Sequence, residues 1–124
     1  MSSRKSVQRI VVTLHNKECC DSYYKLINLL VKKSIETSVS EISLSIENAV
    51  EVLKCNIKEL FLHINDMRTV RVKVYHASDN DLENTTNLLL FDDIQLNDNI
   101  ITFSINKNLL PHVKYLYDAT SLKK

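Results

Sequence analysis

The chain has 124 residues, an apolar fraction of 44% and a formal net charge of +1, which predicts one domain over residues 1–124 with residues 1–6 as a flexible arm. It contains no glycine, which excludes phosphate-cradling loops and nucleophile elbows, because both need glycine for close backbone approach or positive φ. The apolar runs are far shorter than the roughly 20 residues of a membrane span, and the N-terminus lacks a signal sequence, which predicts a cytoplasmic protein. The three cysteines lack the spacing of metal ligands. They are therefore expected to be free thiols, and neither a metal nor a cofactor is predicted.

The first predicted elements are a strand and a helix. VQRIVVTL, residues 7–14, is rich in β-branched residues and predicts a strand or an extended arm. After a turn, Asp21 or Ser22 can cap a helix that runs to about Lys33. A polar connector follows, and EISLSI, residues 41–46, alternates apolar and polar residues as a short half-buried strand does.

Two helices come next. Ser45 offers a side-chain oxygen to cap a short helix from Glu47 to about Lys54. Asn56 and Glu59 approximate a capping box for a second helix, residues 57–67. The apolar residues of this second helix follow the spacing of an amphipathic helix and are Ile57, Leu60, Phe61, Ile64 and Met67.

The remainder is predicted to be mostly strand. TVRVKVY, residues 69–75, alternates valines with Arg71 and Lys73, and a turn-forming loop follows it. NLLLFDDIQL, residues 87–96, is a second strand or strand pair, NDN is a turn, and IITFSI, residues 100–105, is a third strand. Asn106 caps a final short helix, KNLLPHVKYLYD.

The order of these elements is that of a winged helix. A strand, a short helix, an amphipathic helix after a tight turn and then a hairpin predict an α+β fold, a winged helix-turn-helix with a C-terminal β-hairpin or meander and a short terminal helix. Any small α+β domain with a helix packed on a meander would produce much of the same pattern.

The second half of the chain resembles the first winged-helix domain of iteron-plasmid replication initiators. ITFSINKNLLPHVKYLYDATSL is similar to the segment that closes this domain, and NIKELFLHINDMRTVRVKVY resembles its long helix and the strand that opens its hairpin. The resemblance covers roughly residues 41–122. The residues that stand at matching places are Phe103, Ile105, Asn106, Leu109, Leu110, Pro111, Val113, Leu116 and Thr120.

Three features depart from the family. Ala119 stands where the family usually has an aromatic residue, ECCDS is a shortened form of the cap before the first helix, and none of the 124 residues resembles the family's second winged-helix domain. The resemblance implies an isolated first domain that contributes dimer contacts and phosphate contacts, while the second domain of the family does most of the base reading.

The leading functional hypothesis is a non-enzymatic DNA-replication module that contacts plasmid origin DNA mainly through its backbone. Because the net charge is low, any DNA contact must be local. The outer face of the helix after Asn56 is centred on Leu62 and carries the acidic Glu59 and Asp66, which disfavours base reading. The residues expected at DNA are Arg4, Lys5, Lys58, Arg68, Arg71 and Lys73.

The alternative hypothesis is a winged-helix protein-interaction or assembly domain that binds no DNA. Apolar strands with an exposed edge recruit partners, which predicts a homodimer formed through the sheet. The residues expected to contact a partner or a second copy are Leu62, Leu88, Leu90, Ile101 and Phe103. No membrane and no small-molecule substrate is expected.

No enzyme site is predicted. The four histidines, His15, His63, His76 and His112, lie on separate predicted elements without an i, i+4 pair. Asp92 and Asp93 are adjacent on a strand and point to opposite faces. Cys19 and Cys20 have no activating base nearby in the sequence.

Overall fold

A computed structural model describes residues 7–14, 20–76 and 84–121 of the chain. Within these ranges, the chain forms six strands, four α-helices and a 3-10 helix that leads into the last α-helix. The elements are β1 Val7–Thr13, α1 Cys20–Thr37, β2 Glu41–Ser45, α2 Ile46–Leu53, α3 Ile57–Met67, β3 Arg71–His76, β4 Asn84–Leu89, β5 Phe91–Asn97, β6 Ile100–Ile105, the 3-10 helix Lys107–His112 and α4 Val113–Thr120.

The strands form two antiparallel sheets of three strands each. In the N-terminal sheet the order is β1-β3-β4, and in the wing sheet it is β2-β6-β5. The strand between α1 and α2 therefore pairs with β6, so the β5–β6 hairpin is the wing of the helix-turn-helix. The sequence predicted the wing directly after α3, but the hairpin there, β3–β4, pairs with β1 instead.

The core is one cluster of buried side chains from the helices and from the inner faces of the two sheets. Leu26, Ile27 and Leu30 of α1 are at most 1% exposed, and Val72 of β3 and Ile101 of β6 are fully buried. A buried aliphatic side chain of this size stabilises the folded state by about 2 kcal/mol. The alternation of valines with Arg71 and Lys73 in β3 is confirmed, because the burial along this strand alternates in the same register.

Side-chain caps set the boundaries of the two helices in the middle of the chain. The Ser45 hydroxyl accepts a hydrogen bond from the backbone N–H of Asn48 (3.1 Å), and α2 begins at the next residue. Asn56 and Glu59 form the predicted capping box, with bonds of 2.8 and 3.0 Å. These contacts satisfy N–H groups that the first turn of a helix leaves without an intrahelical partner.

The chain turns without glycine by placing other residues in the left-handed region. Ser38, Lys54 and Asp98 have φ angles of 59°, 53° and 52°. Serine and aspartate in turns were expected from the sequence. Lys54, which ends α2 and directs the chain into α3, was not, because this conformation costs a residue with a Cβ roughly 1–2 kcal/mol.

Two asparagines join distant parts of the chain. The Asn106 side chain accepts a hydrogen bond from the backbone N–H of Asn108 (2.9 Å), which confirms the predicted cap. Its amide N–H donates to the backbone oxygen of Leu89 (2.8 Å) and so links the cap to the β4–β5 corner. Asn28 of α1 donates to the hydroxyl of Thr120 (3.1 Å), a side chain that is 1% exposed at the end of α4. Asn106 and Thr120, both part of the resemblance described above, therefore hold the C-terminal elements in place.

Helix α1 differs from its prediction at both ends. It begins at Cys20, so neither Asp21 nor Ser22 is its N-cap. It continues one turn beyond Lys33 to Thr37, because Ser34 turns inward and donates to the backbone oxygen of Val39 (2.6 Å). None of the helices in the described part of the chain is long and apolar enough to cross a membrane.

Candidate nucleic-acid interface

Helix α3 presents three stripes of side chains, each at helical spacing. The buried stripe consists of Leu60, Ile64 and Met67, which are at most 5% exposed and fix the helix on the core. The sequence also assigned Ile57 and Phe61 to this stripe. Both are exposed, by 58% and 46%, because a helix this short packs only three inward positions against the core.

The second stripe of α3, here called the tethered stripe, carries Glu59, His63 and Asp66. Glu59 accepts from the backbone of Asn56 in the capping box. The buried hydroxyl of Tyr23 in α1 donates to Asp66 Oδ2 (2.8 Å) and lies 2.8 Å from His63 Nδ1. The Tyr23 hydroxyl has a single proton, and it donates this proton to Asp66. In the contact with Tyr23, Nδ1 of His63 is therefore the donor and the Tyr23 oxygen is the acceptor. The two carboxylates of α3 are thus held by partners within the protein.

The third stripe faces solvent and has the spacing i, i+3, i+4, i+7. It contains no carboxylate, and Phe61 and Leu62 are 46% and 66% exposed. Its cations stand at its two ends. The solvent stripe consists of Lys58, Phe61, Leu62, Asn65, Arg68 and Thr69, all of them exposed.

The outer face of the N-terminal sheet is a second surface with cationic side chains. Side chains at directly paired positions of antiparallel strands lie on the same face. By this register the face consists of Arg9, Val11 and Thr13 of β1, Arg71, Lys73 and Tyr75 of β3, and Thr85, Asn87 and Leu89 of β4. Three of the nine are cations, none is acidic, and all except Val11 and Tyr75 are exposed.

An arginine and a tyrosine lie against each other on this face. The guanidinium of Arg9 stands 4.0 Å from the centroid of the Tyr75 ring, across the β1–β3 pair. Such a contact orients the cation while leaving it exposed. Arg9 therefore belongs to β1, within the segment predicted as a strand or an extended arm. Arg4 and Lys5 lie outside the described residues.

The C-terminal end of α3 lies next to the outer face of the N-terminal sheet. Arg68 and Leu89 line one surface depression, together with Asp92 and Asp93 at the start of β5. Both carboxylates accept a hydrogen bond within the protein. Asp92 accepts from the backbone N–H of Lys107 (3.2 Å), and Asp93 accepts from the Gln95 side chain (2.9 Å). Arg68 thus marks the boundary between a basic and an acidic surface.

The outer face of the wing sheet has the opposite sign. Two of its nine residues are acidic, Glu41 and Asp93, and none is basic. Hydroxyl and amide groups fill most of the remainder, with Ser43 and Thr102 in contact at 3.1 Å. The nine residues are Glu41, Ser43, Ser45, Asp93, Gln95, Asn97, Ile100, Thr102 and Ser104.

The residues expected to contact a partner separate into two groups. Leu62 is 66% exposed, as expected, and Leu88 is half-buried. Leu90, Ile101 and Phe103 are at most 1% exposed. These three belong to the core of the chain itself and have no surface to offer a partner.

Two histidines from distant segments lie on one surface depression. His76 and His112, which lie far apart in the sequence, line one depression of about 170 Å³ together with Asn108. His76 Nε2 lies 3.2 Å from the Thr86 hydroxyl. Among the residues that the structure describes, no group of three or more His, Cys, Asp or Glu side chains could hold a metal ion. His15 and Cys19 lie outside the described residues.

Comparison with known proteins shows similarity in fold without similarity in sequence. The sequence matches no protein-family model and no curated protein. Two crystal structures of domains 2 and 3 of RctB are similar to the chain at 9% sequence identity, with TM-scores of 0.60 and 0.54. They cover 97% and 89% of this chain, whereas the chain spans only 58% and 52% of those structures.

A third similar structure is a single domain. It is the MSBI1.176 WH1 domain, from a replication protein isolated from a multiple sclerosis patient. It covers 85% of this chain, the chain covers 86% of it, and the TM-score is 0.52 at 8% identity. The predicted fold class is therefore confirmed: the chain is a winged-helix domain with the fold of a replication-protein WH1 domain.

Proposed function

We propose that this chain is a DNA-replication module, related to the first winged-helix domain of iteron-plasmid initiators, that binds DNA mainly through the phosphate backbone. The observation that carries the proposal is the outer face of the N-terminal sheet. It has three cations and no carboxylate among nine residues, in a chain whose net charge is only +1. Lys and Arg on one surface are the usual source of affinity for phosphates.

The arrangement of the cations supports backbone contact. Arg71 and Lys73 project from the same face of β3, roughly 7 Å apart along the strand. Arg9 extends the row across the neighbouring strand, and Arg68 adjoins it from the end of α3. The acidic outer face of the wing sheet would repel DNA, so the charges favour one orientation of the protein.

Two further observations support a role in replication. The fold is similar to the WH1 domain of a replication protein. The residues that resemble the initiator family include Asn106 and Thr120, and both make the contacts that hold the C-terminal elements together.

A salt titration tests the proposal. Fluorescence anisotropy with a duplex of random sequence at several salt concentrations gives the number of neutralised phosphates, because log K falls with log salt by about 0.9 per phosphate. Arg71→Ala/Lys73→Ala should lower this slope by about 2. The matched control is Lys32→Ala/Lys33→Ala on α1. It also removes two positive charges from exposed side chains, but from a different surface element. Lack of binding at low salt, or an equal loss in the control, would refute the proposal.

Homodimerisation is part of the proposal, but it cannot use the buried residues Leu90, Ile101 and Phe103. The outer strands β1 and β4 of the N-terminal sheet, and β2 and β5 of the wing sheet, are the edges that could pair with a second copy. Light scattering at micromolar concentration measures the mass. A monomeric mass would contradict the dimer and leave DNA binding to be judged by the titration.

A second candidate function is a protein-interaction domain without DNA binding. The exposed apolar side chains of α3, Ile57, Phe61 and Leu62, favour it, since their exposures are 58%, 46% and 66%. The same titration separates the two functions, because an interaction domain of this kind binds no duplex at any salt concentration.

A further inference from the structure

We infer that the solvent stripe of α3 reads A·T base pairs in the major groove, with Asn65 contacting adenine and Phe61 and Leu62 contacting thymine methyl groups. This inference rests on the proposed DNA binding and goes further, since backbone contacts alone carry no sequence preference. Three features of α3 lead to it: the length between its cations, the chemistry of the side chains between them, and the position of its carboxylates.

The cations of the stripe have the separation that a helix in the major groove needs. Lys58 and Arg68 are ten residues apart, which corresponds to roughly 15 Å along a helix axis. The major groove is about 12 Å wide. Two cations at this separation can contact phosphates on both sides of the groove while the residues between them face the base edges.

The side chains between the cations match one pair of bases. An asparagine amide makes a bidentate contact with N6 and N7 of adenine, and apolar side chains contact the C5 methyl of thymine. Asn65 supplies the amide, and Phe61 and Leu62, one turn away on the same stripe, supply the apolar surface. No Arg or Lys lies between Lys58 and Arg68 to read guanine, so the stripe favours A·T pairs over G·C pairs.

The carboxylates of α3 lie beside the solvent stripe and accept hydrogen bonds from partners within the protein. Glu59 is held in the capping box, and Asp66 accepts from the buried hydroxyl of Tyr23. Both lie on the tethered stripe, beside the surface that would enter the groove. A protein partner is a weaker fit for this stripe because both of its ends are cationic. Arg68 lies between Leu89, on the outer face of the N-terminal sheet, and the carboxylates of Asp92 and Asp93.

Binding to three alternating duplex polymers tests the inference. Anisotropy competition with poly(dA-dT), poly(dA-dU) and poly(dG-dC) separates the adenine contact from the methyl contact, because uracil is thymine without its C5 methyl. We expect poly(dA-dT) to bind about fivefold to a hundredfold more tightly than poly(dG-dC). We expect it to bind about fourfold more tightly than poly(dA-dU), the value of one buried methyl-sized group.

Substitutions assign each preference to its residues. Asn65→Ala should reduce the preference for poly(dA-dT) over poly(dG-dC) to the contribution of the thymine methyl groups, about fourfold. The double variant Phe61→Ala/Leu62→Ala should remove the difference between thymine and uracil. All three side chains are exposed, and a far-ultraviolet circular dichroism spectrum checks that each variant is folded. Val39→Ala is the matched control, since Val39 is 48% exposed and belongs to the loop between α1 and β2. It should change neither preference.

The outcomes separate this inference from the proposed function. Equal binding to all three polymers overturns the inference and leaves backbone binding intact. A preference for A·T that persists in Asn65→Ala, without a difference between thymine and uracil, also overturns it, because it indicates readout of groove shape. Failure to bind any polymer at low salt overturns both.

Discussion

The contact between Tyr23 and the tethered stripe of α3 supports a quantitative prediction. Tyr23 is 1% exposed, and its hydroxyl lies 2.8 Å from both Asp66 Oδ2 and His63 Nδ1. Tyr23→Phe keeps the ring and removes the oxygen. The change therefore tests whether this polar contact, in addition to apolar packing, fixes α3 against α1.

The expected loss follows from the two hydrogen bonds. A bond to a charged group contributes about 1.5–3 kcal/mol, and a neutral bond contributes about 1 kcal/mol. Asp66 and His63 are half-buried, so water replaces part of what they lose. We expect the free energy of unfolding to fall by about 2 kcal/mol. With a urea m-value of about 2 kcal/mol/M, the unfolding midpoint falls by roughly 1 M.

Urea unfolding followed by circular dichroism measures this midpoint. The control is Tyr115→Phe on α4, where the side chain is 43% exposed and removal of the hydroxyl should have little effect. The reasoning is refuted if Tyr23→Phe is no more destabilising than the control. Combining Tyr23→Phe with Asp66→Ala should give less than the sum of the two losses, because both variants break the same bond.

Four further substitutions probe α3 and the turn before it, each measured by the same urea assay. Leu60→Ala should cost about 3 kcal/mol because the side chain is fully buried, whereas the exposed Ile57→Ala should change stability by less than about 0.5 kcal/mol; similar losses would contradict the assignment of the buried stripe. Asn56→Ala should cost about 1 kcal/mol through loss of the capping box, and a neutral result would count against that cap. Lys54→Gly should stabilise the protein by about 0.5–1 kcal/mol by relieving the left-handed conformation, and a loss of stability would show that the lysine side chain has another role.

The sequence predicted the local structure well where one signal decided it. The capping box at Asn56 and Glu59 defined the start of α3, and alternation in residues 100–105 defined β6. Such signals act over a few neighbouring residues, so one chain without relatives is sufficient to read them. The winged-helix class followed from the order of these elements.

Strand pairing was not predictable in the same way. Nothing in residues 71–76 alone distinguishes a wing strand from a strand that pairs with β1, because the pairing depends on contacts between distant parts of the chain. The prediction of which apolar residues are buried was wrong in part for the same reason. Periodicity placed Phe61 inward, but which of the apolar positions of a short helix are covered depends on the elements packed against it.

The candidate interface was predicted only in part. Arg71 and Lys73 do share an exposed face, but nothing in the sequence alone joins Arg9 to them, since that requires the β1–β3 register. The acidic character assigned to α3 rested on Glu59 and Asp66. The structure keeps both carboxylates on α3 and adds that Tyr23, far away in the sequence, donates a hydrogen bond to one of them.

The opposite charges of the two outer sheet faces give the molecule an electric dipole that its net charge of +1 conceals. A dipole turns a protein as it approaches a charged surface, so collisions with the productive orientation become more frequent. The association rate constant with a polyanion should therefore depend on ionic strength far more than a nearly neutral protein would suggest. For the same reason, the protein should be retained by both cation-exchange and anion-exchange resins at low salt.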